Sequence, residues 1–164
     1  MRLAPQEIRT FFVTAVTWQR RPLFRTEPLA KLFLDTLSRY REQRKFQLHE
    51  FVVMPDHFHL LLTPELDFSL EKALQLIKGG FSFRAKRELG SNLEIWQPSF
   101  TEHRIQDKHD YAHHVGYIRE NPVRARLVET AEDYPYRSAA CALETDAEPP
   151  WLKPKPEGVL VSPG

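Results

Sequence analysis

The chain has 164 residues, 41% of them apolar, enough to bury one core and within the usual range of a single domain. Lys plus Arg (23) nearly cancels Asp plus Glu (22), leaving a formal charge of +1, so bulk charge points neither to nucleic acid nor to an acidic membrane, and any basic surface has to be local. A single cysteine, Cys141, rules out an internal disulfide; with no basic leader and no run of roughly 18 apolar residues, the expectation is a cytoplasmic protein with no membrane partner.

Residues 11–18 are β-branched and aromatic and run into Arg20, Arg21 and Pro22, which predicts a first strand. From Thr26, a suitable N-cap, Leu29, Leu32, Phe33, Thr36, Leu37 and Tyr40 recur at helical spacing and predict an amphipathic helix. Phe46–Met54 reads as a second strand, broken at Pro55 and Asp56 before a third over residues 57–63, so the two form a hairpin that Pro64 stops. Ser69 caps a second helix with the stripe Leu70, Ala73, Leu74, Ile77 and Phe81, and Gly90 ends it. Gly79 and Gly80 lie inside that helix. Each glycine there costs about 1 kcal/mol relative to alanine, so the pair predicts either a break or a close backbone approach, and a nearby ligand suits both.

Residues 100–105 form a candidate fourth strand. Asp107 caps a third helix with the stripe Tyr111, Val115 and Ile118, ending near Asn121 and Pro122, with a short helix over 122–126 after it. Beyond Asp133 the chain turns Pro-rich and acidic. The division expected is one domain over residues 1–140 and a Pro-rich, extended C-terminal tail over 141–164 to which no chemistry is assigned. The order strand, helix, strand, strand, helix, strand, helix is the split βαβ pattern, an α+β class with an antiparallel sheet and helices packed on one face.

His57 and His59 are two apart on a predicted strand, so both imidazoles leave one face while Phe58 points to the other. Taken alone, such a pair is more often a surface pair than a metal site. Its place at the opening of a hairpin strand favours the metal reading, since neutral imidazole is a common divalent-ion ligand. On the third helix, Tyr117 and Asn121 are four apart and stack one turn from each other, to the side of the apolar stripe. A packing aromatic and an N-cap before Pro122 are the bland alternatives for these two. Lys78, Arg84, Lys86 and Arg87 make the end of the second helix locally basic. With Arg104, Arg119, Arg124 and Arg126 they are candidate phosphate contacts, or else an ordinary solvated face. Trp18 and Trp96 are better read as core than as base-stacking platforms, His49 and His103 as structural, and His113 as a solvated histidine rather than a general base.

Residues 52–62, centred on His57-Phe58-His59, resemble the His-hydrophobe-His signature of HUH endonucleases. Tyr117-Ile118-Arg119-Glu120-Asn121-Pro122-Val123-Arg124-Ala125 resembles the corresponding run of REP-associated tyrosine transposases. Shorter matches at residues 12–14, 18–22, 76–79, 96–97 and 133–135 extend the resemblance over roughly residues 10–138. It departs from the family at Arg119, where many relatives carry His, and at Asp56, where Asn is frequent; neither position is a ligand or the nucleophile. The resemblance implies a ferredoxin-like core, Tyr117 as nucleophile, and a divalent metal, Mg2+ or Mn2+, held by His57, His59 and the amide oxygen of Asn121. It also implies a 5′-phosphotyrosine intermediate and a substrate of single-stranded DNA bearing a hairpin of the repetitive extragenic palindrome type, handled by a monomer or homodimer. A phenol, with a free pKa of about 10, needs a cation or a base to lose its proton at neutral pH. A non-cleaving repeat-DNA-binding protein is the alternative, and a hydrolase using Asp56 beside the His pair ranks below it.

Overall fold

A computed structural model describes residues 8–155, which comprise four strands and three helices. These are β1 (Phe11–Val16), α1 (Glu27–Glu42), β2 (Phe46–Met54), β3 (His57–Pro64), α2 (Leu70–Leu89), β4 (Thr101–Arg104) and α3 (Lys108–Arg124). The strands form one sheet in the order β2-β3-β1-β4, with each neighbouring pair antiparallel. Each helix connection skips over one strand, so the split βαβ order read from the sequence is the ferredoxin-like arrangement observed. Two 3-10 turns, Trp18–Arg20 and Leu23–Arg25, lead from β1 into α1 and were not anticipated.

Caps set the helix ends. The Ser69 hydroxyl accepts from Lys72 N at 3.1 Å, and Asp107 Oδ1 accepts from Asp110 N at 2.8 Å, each satisfying a free N–H of a first turn. Gly90 closes α2 in the left-handed region at φ 66°. Thr26 sits at the N-cap of α1 but turns its hydroxyl to Leu23 O instead.

The helices do not all share one face, which corrects that part of the expected packing. On one side, α1 and α2 bury Phe33, Leu37, Leu74, Ile77 and Phe81 against Val13, Phe51, Val53, Phe58 and Leu60 of the sheet. On the other, α3 lays Tyr111 and Ile118 against Val52, Met54 and Leu61. The reason lies in the strands: β2 and β3 carry apolar side chains on both faces and are buried at nearly every position, so both of their faces need cover. A β-bulge at His49 shifts the phase of β2, allowing Phe46 and Leu48 before it to face the same core as Phe51 and Val53 after it. Burying a phenylalanine such as Phe58 contributes about 1.5–3 kcal/mol, and its ring packs 4.9 Å from Phe33.

Helix α2 is continuous through Gly79 and Gly80. The close-approach reading holds, and what approaches is α1: a Cβ on Gly80 would lie 2.2 Å from the Tyr40 hydroxyl, whereas one on Gly79 meets nothing within 4 Å. Gly79→Ala is therefore expected to raise stability by about 1 kcal/mol through helix propensity. Gly80→Ala gains the same term but forces Tyr40 aside at about 1–3 kcal/mol. Urea unfolding should place Gly79→Ala clearly above Gly80→Ala, and equal midpoints would contradict this close approach.

Helix α3 also runs on past the expected stop, carrying Pro122 within its last turn to Arg124. Pro122 forfeits one helical donor, but its own carbonyl accepts from Leu127 N at 3.0 Å, so the turn is closed beyond it. After α3, residues 134–147 run along the free edge of β2. Tyr134 donates to Val53 O, Ser138 bonds both Phe51 main-chain groups, and Asp146 pairs with Leu48 while holding Arg41 through two bonds of 3.0 Å. Residues 148–155 carry no regular element, yet Leu152 is buried beside α3 and Lys108 N donates to Lys153 O. No helix among the described residues is long and apolar enough to cross a membrane.

Candidate active site

The sheet face under α3 gathers the chemistry. β3 delivers His57 and His59 to this face, with centroids 4.8 Å apart; β1 delivers Phe12 and Thr14, whose cross-strand partners are Leu61 and His59. Helix α3 lowers Tyr117 onto them. The Tyr117 ring meets His59 edge-on at 5.4 Å and Phe12 at 5.8 Å, so the phenol and the imidazole pair that lie 58 residues apart in sequence converge as the motif required. Asn121 follows one turn later on the same helix and is half-buried. Beyond it, Arg124 sets its guanidinium 5.6 Å from the Tyr117 ring centre, a cation–π contact.

Each histidine is held through Nδ1. His57 Nδ1 donates to Asp56 Oδ1 at 2.6 Å, and Asp56 is braced in turn by Arg20 at 3.3 Å. His59 Nδ1 bonds the Thr14 hydroxyl at 2.7 Å. Burial, reinforced by the neighbouring His57 charge, pushes the His59 pKa down to about 3, so that ring is neutral at physiological pH. A neutral ring carries one proton and one lone pair. With Nδ1–H donating to Thr14, the lone pair falls on Nε2, which is buried and has no hydrogen-bond partner. Leaving a buried polar nitrogen unsatisfied costs about 1–3 kcal/mol. A carboxylate on one ring, a hydroxyl on the other and two free Nε2 atoms on one face are what a metal-ligating His pair with its outer partners looks like, so these residues fit a divalent ion.

The phosphate-contact candidates fare unevenly. Arg124 stands at the site, and Arg119 is on the same helix, reaching Glu50 at 3.3 Å while staying 59% exposed. Lys78 is committed elsewhere, donating to the carbonyls of Gln97 and Ser99 at 3.0 and 2.7 Å. Arg84 is locked between Asp35 at 2.8 Å and Glu88 at 2.7 Å. Lys86 and Arg87 are exposed on α2, across the sheet from Tyr117, and Arg104 pairs with Phe11 and so shares that far face. Trp96 is core, with its indole N–H on Lys78 O, and His49 is structural, bridging Ala147 O and the Thr63 hydroxyl at 2.8 Å each. His113 is exposed. Tyr111, the other tyrosine of α3, is 7% exposed, and burial raises its pKa to about 12; it is a poor nucleophile.

Sequence reasoning missed Phe12 and Thr14 as site residues, because their place beside His59 depends on the β1–β3 register. It also set aside His103, which meets Asp110 and His114 at the β4 side of α3. The Asp110–His114 spacing of four was the available signal.

A family model described as "Transposase IS200 like" matches residues 9–121. The chain belongs to the IS200-like transposase family. The REP-associated tyrosine transposase of Escherichia coli is 30% identical to this transposase over 139 residues, 79% of this chain and 80% of that one. A Haemophilus influenzae protein provisionally assigned to the same group is 31% identical over 138 residues, 78% of each chain. A solved structure of a REP-associated tyrosine transposase bound to a REP hairpin superposes with a TM-score of 0.70 at 30% identity, covering 88% of this chain and 87% of that chain. The α+β, four-stranded antiparallel fold is thus that of a tyrosine transposase, and transposase activity is the function the family carries.

Proposed function

We propose that this transposase nicks and rejoins single-stranded DNA flanked by hairpins of the repetitive extragenic palindrome type, with Tyr117 as nucleophile and a divalent metal on His57, His59 and the Asn121 amide oxygen. The observation that carries the reading is the orphaned His59 Nε2, buried at 5.4 Å ring-to-ring from Tyr117. A non-cleaving repeat-DNA binder gives that nitrogen nothing to do. The E. coli relative and the hairpin-bound structure support the substrate class.

Tyr117 Oη attacks the scissile phosphorus in line with the departing 3′ oxygen. The P–O3′ bond breaks, leaving a 3′-hydroxyl on one strand and a 5′-phosphotyrosine on the protein. Attack by a 3′-hydroxyl reverses the step, and rejoining needs no nucleotide triphosphate because the phosphodiester energy is kept in the tyrosyl link. When bound, the ion supplies Lewis-acid neutralisation of the phosphoryl oxygens. Asp56 and Thr14 fix the two imidazoles so that both Nε2 atoms stay available, Phe12 packs against His59 and Tyr117 to hold their relative tilt, and Arg124 orients the phenol and offers a phosphate contact. Two imidazoles make Mn2+ more comfortable than Mg2+. We assign the activity to residues 1–140, with 141–164 lying outside the catalytic set although Asp146 and Leu152 pack onto the domain, acting in the cytoplasm.

Incubation with hairpin-bearing and hairpin-free single strands, with Mn2+ or a chelator, tests this. Nicking of the hairpin strand that stops on chelation is expected. Equal nicking of both strands in the presence of chelator would contradict the substrate and the metal together.

A further inference from the structure

Outside the Tyr117 site, three metal-ligating side chains meet where β4 faces α3. His103 Nε2 lies 2.8 Å from Asp110 Oδ2, and His114 Nδ1 lies 2.9 Å from the Asp110 main-chain oxygen and 3.1 Å from Asp110 Oδ1. One ligand atom from each of the three falls within 4.8 Å of the others, and the two imidazoles stack at 4.7 Å with their planes 21° apart. Asp110 and His114 are one turn apart on α3, while His103 comes from across the gap, beside Phe12 in the β1–β4 register. The Phe12 ring touches His114 at 4.7 Å on one side and His59 at 5.2 Å on the other, so it divides this cluster from the His57/His59 pair.

We propose that His103, Asp110 and His114 form a second metal site, distinct from the one beside Tyr117, which takes Zn2+ or a similar borderline transition ion and clamps β4 to the helix carrying the nucleophile. The donor set decides the ion class. Two imidazoles and one carboxylate suit zinc and its neighbours, whereas Mg2+ and Ca2+ prefer all-oxygen ligands. Tetrahedral zinc with bonds of about 2.0–2.1 Å needs ligand atoms about 3.3 Å apart; the three ligand atoms lie within 4.8 Å of one another, and because His103 and His114 meet different oxygens of Asp110, a small carboxylate and imidazole rotation brings them onto one ion. The carboxylate has an outer brace, because Asp110 Oδ2 also accepts from Gln106 N at 2.9 Å. His103 is 45% exposed, which leaves an entry path and an open position for water.

The fold gives such a clamp a purpose. β4 is a four-residue edge strand, exposed at every position and hydrogen-bonded to β1 alone. An ion tying it to α3 stiffens the contact between the sheet edge and the helix that carries Tyr117. On metal entry each imidazole donates a lone pair where it now donates an N–H, its proton passing to the other ring nitrogen or to solvent, so binding weakens in acid.

Calorimetric titration with Zn2+ of the full chain carrying His57→Ala and His59→Leu isolates this cluster from the first site, and Tyr117 plays no part in the readout. One zinc per chain and an upward shift in Tm are expected. Adding His103→Ala, at an exposed position with no core role, should weaken binding by more than about 100-fold, beyond the 10–100-fold typical of losing an outer partner, and should abolish the Tm shift. His103→Gln in the otherwise unaltered chain should lower bound zinc by one equivalent, which serves if the double background folds poorly. No zinc uptake by the first variant, or uptake indifferent to both His103 changes, overturns the second site and leaves the Tyr117 chemistry untouched.

Discussion

Tyr117→Phe is expected to give no covalent protein–DNA adduct and to lose single-strand nicking by on the order of 10⁴-fold or more, the scale seen when a covalent nucleophile is deleted. The substitution removes one hydroxyl. The ring, with its edge contacts to His59 and Phe12 and its stacking on Arg124, is retained, so folding and hairpin binding should be preserved. Denaturing electrophoresis of a Mn2+ reaction reads the adduct, and a gel-shift with the same hairpin reads the binding. Tyr111→Phe is the internal control: Tyr111 is 7% exposed between α3 and the sheet, and burial disfavours its deprotonation. Adduct of equal yield from Tyr117→Phe would contradict the assignment.

The paired change Thr14→Val with His59→Leu is expected to abolish metal-dependent nicking, by on the order of 10³-fold, while leaving the metal-free protein as stable as the wild type or more so. Replacing both hydrogen-bond partners with apolar groups of similar shape is close to neutral, and here it also removes the unsatisfied His59 Nε2. Function and stability thus pull in opposite directions at one buried position, as a site built for an ion should behave. Thermal melts in chelator, beside Mn2+ titrations, separate the two effects. A pair variant that is destabilised by several kcal/mol, or that keeps its response to Mn2+, would mean His59 is a packing residue.

Much of this was legible in the sequence, for reasons that differ by element. Strands and helices followed from apolar periodicity and from caps such as Ser69, Asp107 and Gly90, which act locally. The stripe Tyr111, Val115, Ile118 put Tyr117 and Asn121 to one side of α3, and the Tyr117 ring lies there against His59 and Phe12. The side of the sheet that α3 covers was not legible, because choosing a face depends on what α1 and α2 already occupy. Nor was the β1–β3 register, which brings Thr14 to His59. Lys78 and Arg84 looked like free cations because sequence shows charge without showing its partners, here two loop carbonyls and two carboxylates. His103 was set aside for the same reason: its companions Asp110 and His114 come from another element.

Trapping the reaction intermediate and locating the nucleotide by mass spectrometry of the digested protein is the most direct measurement. A 5′-phosphoryl nucleotide on the peptide containing Tyr117, formed only with divalent metal, is the predicted result. A nucleotide attached to any other residue, or linked through its 3′ phosphate, would contradict it.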